Sequence, residues 1–151
     1  MSIKLTTYDE EFLECSIKWF RNKELLKLLD AGEVDPEGQR KWFSTLPDKT
    51  DYKIWGILSD GIPVGASGLK HIDPDNMVAE YFGYIGESSL WGKGLGKEIL
   101  SLTCDKASEL GMEKVYLHVL SDNIRALRLY EKNGFAASSE EDGLITMWKD
   151  L

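Results

Sequence analysis

Three glycines, each separated by one residue, stand directly before a helical pattern in the second half of the chain. Gly92, Gly94 and Gly96 form the turn, and from Leu95 onward apolar residues recur at helical spacing. Because glycine has no side chain, the backbone N–H groups of such a turn can approach a ligand closely. The first N–H groups of a helix lack internal partners, and the helix dipole adds partial positive charge there. The stretch therefore predicts a site for an anion, best suited to phosphate or diphosphate.

Two common phosphate-binding loops do not fit this stretch. A Walker loop closes with Lys followed by Ser or Thr, whereas Lys97 is followed by Glu98. A dinucleotide-binding loop follows the first strand and has a different glycine spacing. The remaining alternative is that the glycines only shape a turn between a strand and a helix.

Hydrophobic periodicity and turn residues predict the elements that position this turn. Strands are expected at residues 3–7, 52–58, 62–71, 77–85, 114–119, 135–138 and 144–149, and helices at 10–22 with an apolar continuation to about 32, from Asp35 to Leu46, from Leu95 to Leu110, and from Asp122 or Asn123 to Lys132. The order β-α-α-β-β-β-α-β-α-β-β predicts an α/β (α+β) fold. Its mixed, mostly antiparallel sheet has about seven strands flanked by about four helices. If the helix after the glycines is a crossover, strand 114–119 lies parallel to strand 77–85.

Length and composition limit the classes of function. A chain of 151 residues fits one domain, residues 1–151. Its net charge of -8 argues against a nucleic-acid partner and is compatible with an amine substrate. His71 and His118 have no cysteine or histidine at ligand spacing, so we expect no metal. Without an apolar signal core or a stretch that could span a membrane, we expect a cytoplasmic protein with no membrane partner.

A second motif, residues 123–135, is Asn-Ile-Arg-Ala-Leu-Arg-Leu-Tyr-Glu-Lys-Asn-Gly-Phe. It resembles the Asn-x-x-Ala-x-x-x-Tyr-x-x-x-Gly-Phe signature of the GNAT superfamily of acyl-CoA-dependent N-acetyltransferases. Residues 83–85 followed by 90–96 are similar to the diphosphate loop of that family. The family often has Gln or Arg where this chain has Trp91. Trp there resembles the branch with ribosomal-protein N-terminal acetyltransferases and some sugar and polyamine acetyltransferases.

The resemblance extends over essentially the whole chain and implies the GNAT fold, with acetyl-CoA as cosubstrate. It implies that the diphosphate meets the amides of the glycine-rich turn. The pantetheine arm would then add to the open edge of strand 77–85. The residues expected to bind the cosubstrate are Tyr84, Ile85, Gly86, Trp91, Gly92, Lys93, Gly94, Leu95, Gly96, Lys97, Asn123 and Ala126. Lys93 and Lys97 fit a solvated helix start equally well, and Asn123 fits a helix cap.

Catalysis needs a proton acceptor for the amine, a donor to the developing oxyanion and a donor to the departing thiolate. The resemblance implies that Tyr130 donates to the thiolate, although its spacing alone also fits an aromatic packed on a helix. Glu80 is the candidate base, acting through water, with a solvent-facing strand carboxylate as the alternative. The two histidines are weaker candidates. The expected oxyanion donor is a backbone N–H near Ile85 or Gly86.

The segment between the first two strands is expected to bind the acceptor. Residues 19–22 and 39–43 resemble nucleotide-sugar amino-acetyltransferases, which suggests Trp19, Arg21 and Asn22 as substrate-binding residues. Arginine can bind a diphosphate with two parallel hydrogen bonds. We therefore expect a small-molecule primary amine, preferably an amino sugar or nucleotide-linked amino sugar. The alternative acceptors are a protein N-terminus, a polyamine or an antibiotic amine. Another alternative is that the chain is a non-catalytic acyl-CoA-binding domain. The sequence also allows a homodimer.

Overall fold

A seven-stranded sheet forms the centre of residues 2–151, the part of the chain that the computed structural model describes. The strands are β1 (Ile3–Thr7), β2 (Lys53–Ser59), β3 (Ile62–Asp73), β4 (Val78–Ile85), β5 (Lys114–Leu120), β6 (Ala136–Glu141) and β7 (Leu144–Asp150). They are ordered β1-β2-β3-β4-β5-β7-β6, and every neighbouring pair is antiparallel except β4 and β5. This confirms the predicted mixed sheet, including the parallel pair joined by a crossover helix.

Helices cover both faces of the sheet. They are α1 (Glu10–Trp19), α2 (Lys23–Leu28), α3 (Pro36–Thr45), α4 (Leu95–Glu109) and α5 (Ile124–Lys132), with short 3₁₀ turns at Leu46–Asp48 and Ser88–Leu90. Side chains alternate between the two faces along β4. Tyr84 packs into the core beneath α1–α3, while Tyr81 packs into the core beneath α4 and α5. The two cores thus lie on opposite sides of β4.

One predicted helical segment is divided in two. The chain breaks at Asn22, whose side-chain oxygen accepts hydrogen bonds from the backbone N–H groups of Glu24 and Leu25 at 3.0 and 3.4 Å. Such a cap starts a new helix, so α1 and α2 are separate and α2 ends at Leu28. Three α-helices therefore precede β2, where the sequence predicted two.

The last hairpin also differs in detail from its prediction. β6 extends to Glu141, three residues beyond its predicted end at residue 138, so Glu140 and Glu141 belong to the strand. The turn itself contains Asp142 and Gly143, both with positive φ. A two-residue turn with positive φ at both positions matches the twist of an antiparallel pair, which explains the longer strand.

Within residues 2–151, no helix combines the length and apolar character needed to cross a lipid bilayer.

Candidate active site

The parallel strands β4 and β5 form a fork. They pair over three residues of each strand, ending at Glu80 opposite Tyr116. Gly86 donates its backbone N–H to the Val64 carbonyl at 2.7 Å, so the peptide groups of even-numbered β4 residues point towards β3. The backbone groups of the odd-numbered residues beyond Glu80 consequently face the fork. They form an edge to which an extended amide-bearing ligand can add.

This geometry distinguishes between the two expected oxyanion donors, the backbone N–H groups of Ile85 and Gly86. The N–H of Gly86 is already engaged with Val64. By the alternation along β4, the N–H of Ile85 points into the fork. Ile85 is therefore the donor that the geometry favours.

The N-terminus of α4 opens towards solvent beside this fork. Gly92 and Gly94 have φ of +76° and +80°, which side chains other than glycine rarely adopt. A Cβ added to Gly94 would meet nothing within 4 Å. Among the α-helices of residues 2–151, α4 alone begins without a side-chain cap; the other helices are capped by Asp9, Asn22, Asp35 and Asn123. The first N–H groups of α4 can thus bind an anion.

A cation that the sequence analysis did not select lies next to this helix start. A Cβ built on Gly92 would be 3.6 Å from Cζ and Nη2 of Arg125. Arg125 belongs to the first turn of α5, is exposed, and forms no ion pair within the described residues. Lys93 and Lys97 are exposed on the α4 side of the same mouth. Arg125 occupies a variable position of the second motif, so only the packing of α5 against α4 reveals it.

Two indole rings fix the end of β4. The Nε1–H of Trp91 donates to the Ile85 carbonyl at 2.8 Å. The Nε1–H of Trp19 donates to Oε1 of Glu87 at 2.9 Å, and a Cβ on Gly86 would clash with the Trp19 ring. Trp19 is buried at 6% exposure. The two tryptophans therefore link α1 and the glycine-rich turn to the strand end, and Trp19 presents little surface to an acceptor.

Tyr130 lies half-buried on α5, on the face of the sheet that carries α4. Its ring centroid is 6.3 Å from that of Tyr81 and 5.7 Å from that of Phe135. Its hydroxyl makes no hydrogen bond within residues 2–151 and is not a buried unpartnered atom, so it reaches solvent. Burial raises the pKa of Tyr130 to about 12. The phenol therefore keeps its proton at neutral pH and has a donor available for a ligand.

Glu80 lies at the origin of the fork, with its side chain only 8% exposed. Nδ1 of His71 is 2.9 Å from Oε1, and Nε2 of His118 is 3.9 Å from the same oxygen. Nζ of Lys70 lies 3.4 Å from Oε2. The alternative of a solvent-facing carboxylate is therefore wrong. Glu80 is a buried carboxylate with titratable neighbours, on the sheet face opposite to Tyr130.

The remaining predicted residues have simple surroundings. Asn123 caps α5, accepting a hydrogen bond from the N–H of Ala126 at 3.3 Å. Asn22 caps α2, and Arg21 is exposed without an ion-pair partner in the described part of the chain. Residues 2–151 contain no group of three His, Cys, Asp or Glu side chains placed to hold a metal ion.

Burial raises the pKa of every tyrosine in the chain, and this leads to a prediction about stability. The set is Tyr8, Tyr52, Tyr81, Tyr84, Tyr116 and Tyr130. Below the unfolded-state pKa of about 10 these phenols are neutral, and the fold keeps its full stability. Above that pH the phenols of the unfolded chain lose their protons while those of the folded chain keep them, which favours unfolding. Phenolate absorbance should therefore be nearly absent at about pH 10 and appear together with unfolding at higher pH. Ordinary titration near pH 10 with the native circular dichroism retained would contradict this.

Comparisons with known proteins agree with these features. The sequence model described as the acetyltransferase (GNAT) family matches residues 15–135. The chain is 40% identical to a Bacillus subtilis spermine/spermidine N(1)-acetyltransferase over 108 residues, which are 66% of this chain and 71% of that protein. It is 28% identical to an uncharacterized Methanocaldococcus jannaschii protein over 82% of this chain, but spans only 26% of that protein.

Solved structures share the fold. Spermidine N-acetyltransferase from Vibrio cholerae, in complex with CoA and spermine, matches with a TM-score of 0.90 at 17% identity, covering 98% of this chain and 95% of that chain. Campylobacter jejuni N-acetyltransferase PseH matches with a TM-score of 0.78 at 20% identity, covering 98% and 97%. Since the family match covers most of the chain and includes both the glycine-rich turn and Tyr130, the chain belongs to the acetyltransferase (GNAT) family.

Proposed function

We propose that this protein transfers acetyl directly from acetyl-CoA to a primary amine of a small molecule. The observation that carries the proposal is the uncapped start of α4 beside the fork between β4 and β5. A diphosphate suits the open helix start, and an amide-bearing arm suits the exposed edge of β4. Acetyl-CoA has both groups and supplies an acyl thioester.

The residues around the fork fit the needs of this reaction. A primary ammonium has a pKa near 10.4, so it must lose a proton before it can attack. Glu80 accepts that proton, through water, on one side of the sheet. The Ile85 N–H stabilises the developing oxyanion. Tyr130, on the other side, donates to the departing sulfur, since its raised pKa keeps the hydroxyl protonated.

A polyamine is the acceptor with the most support. The relative that is 40% identical is named a spermine/spermidine N(1)-acetyltransferase. The net charge of -8 favours the approach of a polycation. A nucleotide-linked amino sugar is the second candidate, supported by the exposed Arg21 in the segment that resembles enzymes of that kind.

Release of CoA thiol from acetyl-CoA, measured with a panel of amines, tests the proposal. The panel contains spermine, spermidine, a nucleotide-linked 4-amino sugar, an aminoglycoside and a peptide with an unblocked N-terminus. We expect thiol release that depends on at least one amine, and an acetylated product of matching mass. Tight binding of acetyl-CoA without turnover on any amine would instead support a non-catalytic acyl-CoA-binding domain.

Arg125 gives a separate prediction for the diphosphate site. Arg125→Ala should raise the KM for acetyl-CoA about tenfold, because a hydrogen bond to a charged group contributes about 1.5–3 kcal/mol. The effect should shrink as KCl is added, since salt screens an exposed charge. Lys132→Ala, in the last turn of the same helix, is the matched control and should leave KM unchanged. Equal KM values for Arg125→Ala and the wild type would exclude Arg125 from the site.

A further inference from the structure

A bulge in β3 turns two consecutive side chains onto one carboxylate. Neighbouring residues of a regular strand point to opposite faces of the sheet. Lys70 and His71 nevertheless both contact Glu80, at 3.4 and 2.9 Å. The pairing of β3 with β4 shifts register between Lys70 and Asp73, and His71 has a φ of +51°. The bulge therefore redirects the His71 ring towards a residue that a regular strand would keep from it.

Glu80 and His71 together connect the interior of the sheet to solvent. Oε1 of Glu80 belongs to a side chain that is 8% exposed, whereas the His71 side chain is 65% exposed. Nδ1 of the imidazole faces the carboxylate, which leaves the other nitrogen, Nε2, for water. Imidazole can accept a proton at one ring nitrogen and release one from the other.

The other groups around Glu80 are less suited to carry a proton. Lys70 has an ammonium head, which donates but has no acceptor site. Nε2 of His118 lies beyond hydrogen-bond distance at 3.9 Å, and its Nδ1 is 2.9 Å from Oγ1 of Thr146. Tyr116 also faces Glu80 from β5; burial raises the pKa of its phenol, with Glu80 and Asp73 adding to the shift.

We infer that His71 is the relay that returns the proton from Glu80 to solvent after each transfer. This rests on the proposed function, with Glu80 as the base. The acceptor's proton reaches Glu80, the Oε1–H bond breaks as a Nδ1–H bond forms, and Nε2 releases its own proton to water. Glu80 is again a carboxylate and His71 is again neutral. The neutral ring now carries its hydrogen on Nδ1. When the exposed ring turns away from Glu80, water protonates Nε2 and takes the proton from Nδ1, which restores the starting tautomer with the hydrogen on Nε2. His71 acts through Glu80 and does not contact the acceptor.

His71→Gln tests the relay, because glutamine can still donate a hydrogen bond to Glu80 but cannot pass a proton through. In dilute buffer that lacks imidazole, kcat with the best amine should fall about tenfold, less than the hundredfold or more expected for loss of the base itself, because Glu80 can still release its proton slowly to water. Added imidazole should restore the rate of His71→Gln with saturation and leave the wild type unchanged. Glu80→Gln should be impaired and should not respond to imidazole.

A full rate for His71→Gln, or a loss that imidazole does not restore, would overturn the relay. Imidazole rescue of His118→Gln, without rescue of His71→Gln, would transfer the role to His118. These outcomes differ from a failure of the proposed function itself. If Glu80→Gln has the wild-type rate, Glu80 is not the base. If no amine is acetylated, the protein is not the proposed enzyme.

Discussion

Glu80→Gln is expected to lower kcat for acetyl transfer at pH 7 by about a hundredfold or more, as loss of a general base typically does. Glutamine has the same shape and can still accept a hydrogen bond, but it cannot take the amine proton. The loss should shrink as pH rises. As pH rises towards about 10, a growing fraction of the acceptor, whose amine pKa is about 10.4, is deprotonated without help, so the variant should approach the wild type while the fold is still stable. Initial rates of thiol release across this pH range measure the effect.

Glu109→Gln is the matched control for Glu80→Gln. Glu109 is an exposed carboxylate at the end of α4, and its Oε2 is a long 3.9 Å from Nζ of Lys106. A surface pair of this kind contributes little to stability, so rate and fold should be unchanged. Unfolding of Glu80→Gln by urea separates a loss of stability from a loss of chemistry. A properly folded Glu80→Gln with the wild-type rate at pH 7 would remove Glu80 from the mechanism.

Much of the fold could be predicted because local patterns determine its elements. The turn containing Gly92 and Gly94 needs positive φ, and glycine adopts such angles without strain. Asn123 caps α5 as its side chain predicted, and Asp35 caps α3 at the predicted start of that helix. The parallel pair follows from the handedness and length of a crossover helix. The break at Asn22 was missed because apolar residues continue on both sides of it, and periodicity alone cannot detect a local cap.

The neighbours of the site depend on packing that no local pattern encodes. Arg125 reaches Gly92 only because α5 packs beside α4. His71 meets Glu80 only because a bulge changes the register of two strands. Trp19 is a residue type that often lines ligand pockets, yet its ring covers the backbone of Gly86. In each case the residue type could be read from the sequence, whereas the partner depended on tertiary contacts.

Tyr130→Phe tests the other face of the sheet. The substitution removes only the hydroxyl, so the ring contacts with Tyr81 and Phe135 remain and stability should change little. We expect kcat to fall about ten- to a hundredfold with KM for acetyl-CoA nearly unchanged, because a hydrogen bond to a charged group contributes about 1.5–3 kcal/mol. The reason is that the thiolate carries its full charge only as the bond to the acyl carbon breaks, so a donor there acts on the transition state and little on binding.

Tyr8→Phe serves as the matched control for Tyr130→Phe. Tyr8 is buried in the core beneath α1–α3, on the other side of the sheet, where its hydroxyl donates to the Phe12 carbonyl at 3.5 Å and lies near the side chains of Ser16 and Tyr84. Its rate should equal that of the wild type. Tyr130 is best tested with two acyl donors that share the acetyl group but differ in the pKa of the leaving thiol. Loss of the phenol should cost more with the more basic thiol, because that thiolate needs the donor more. An equal loss with both donors would mean that Tyr130 shapes the fork without donating to the sulfur.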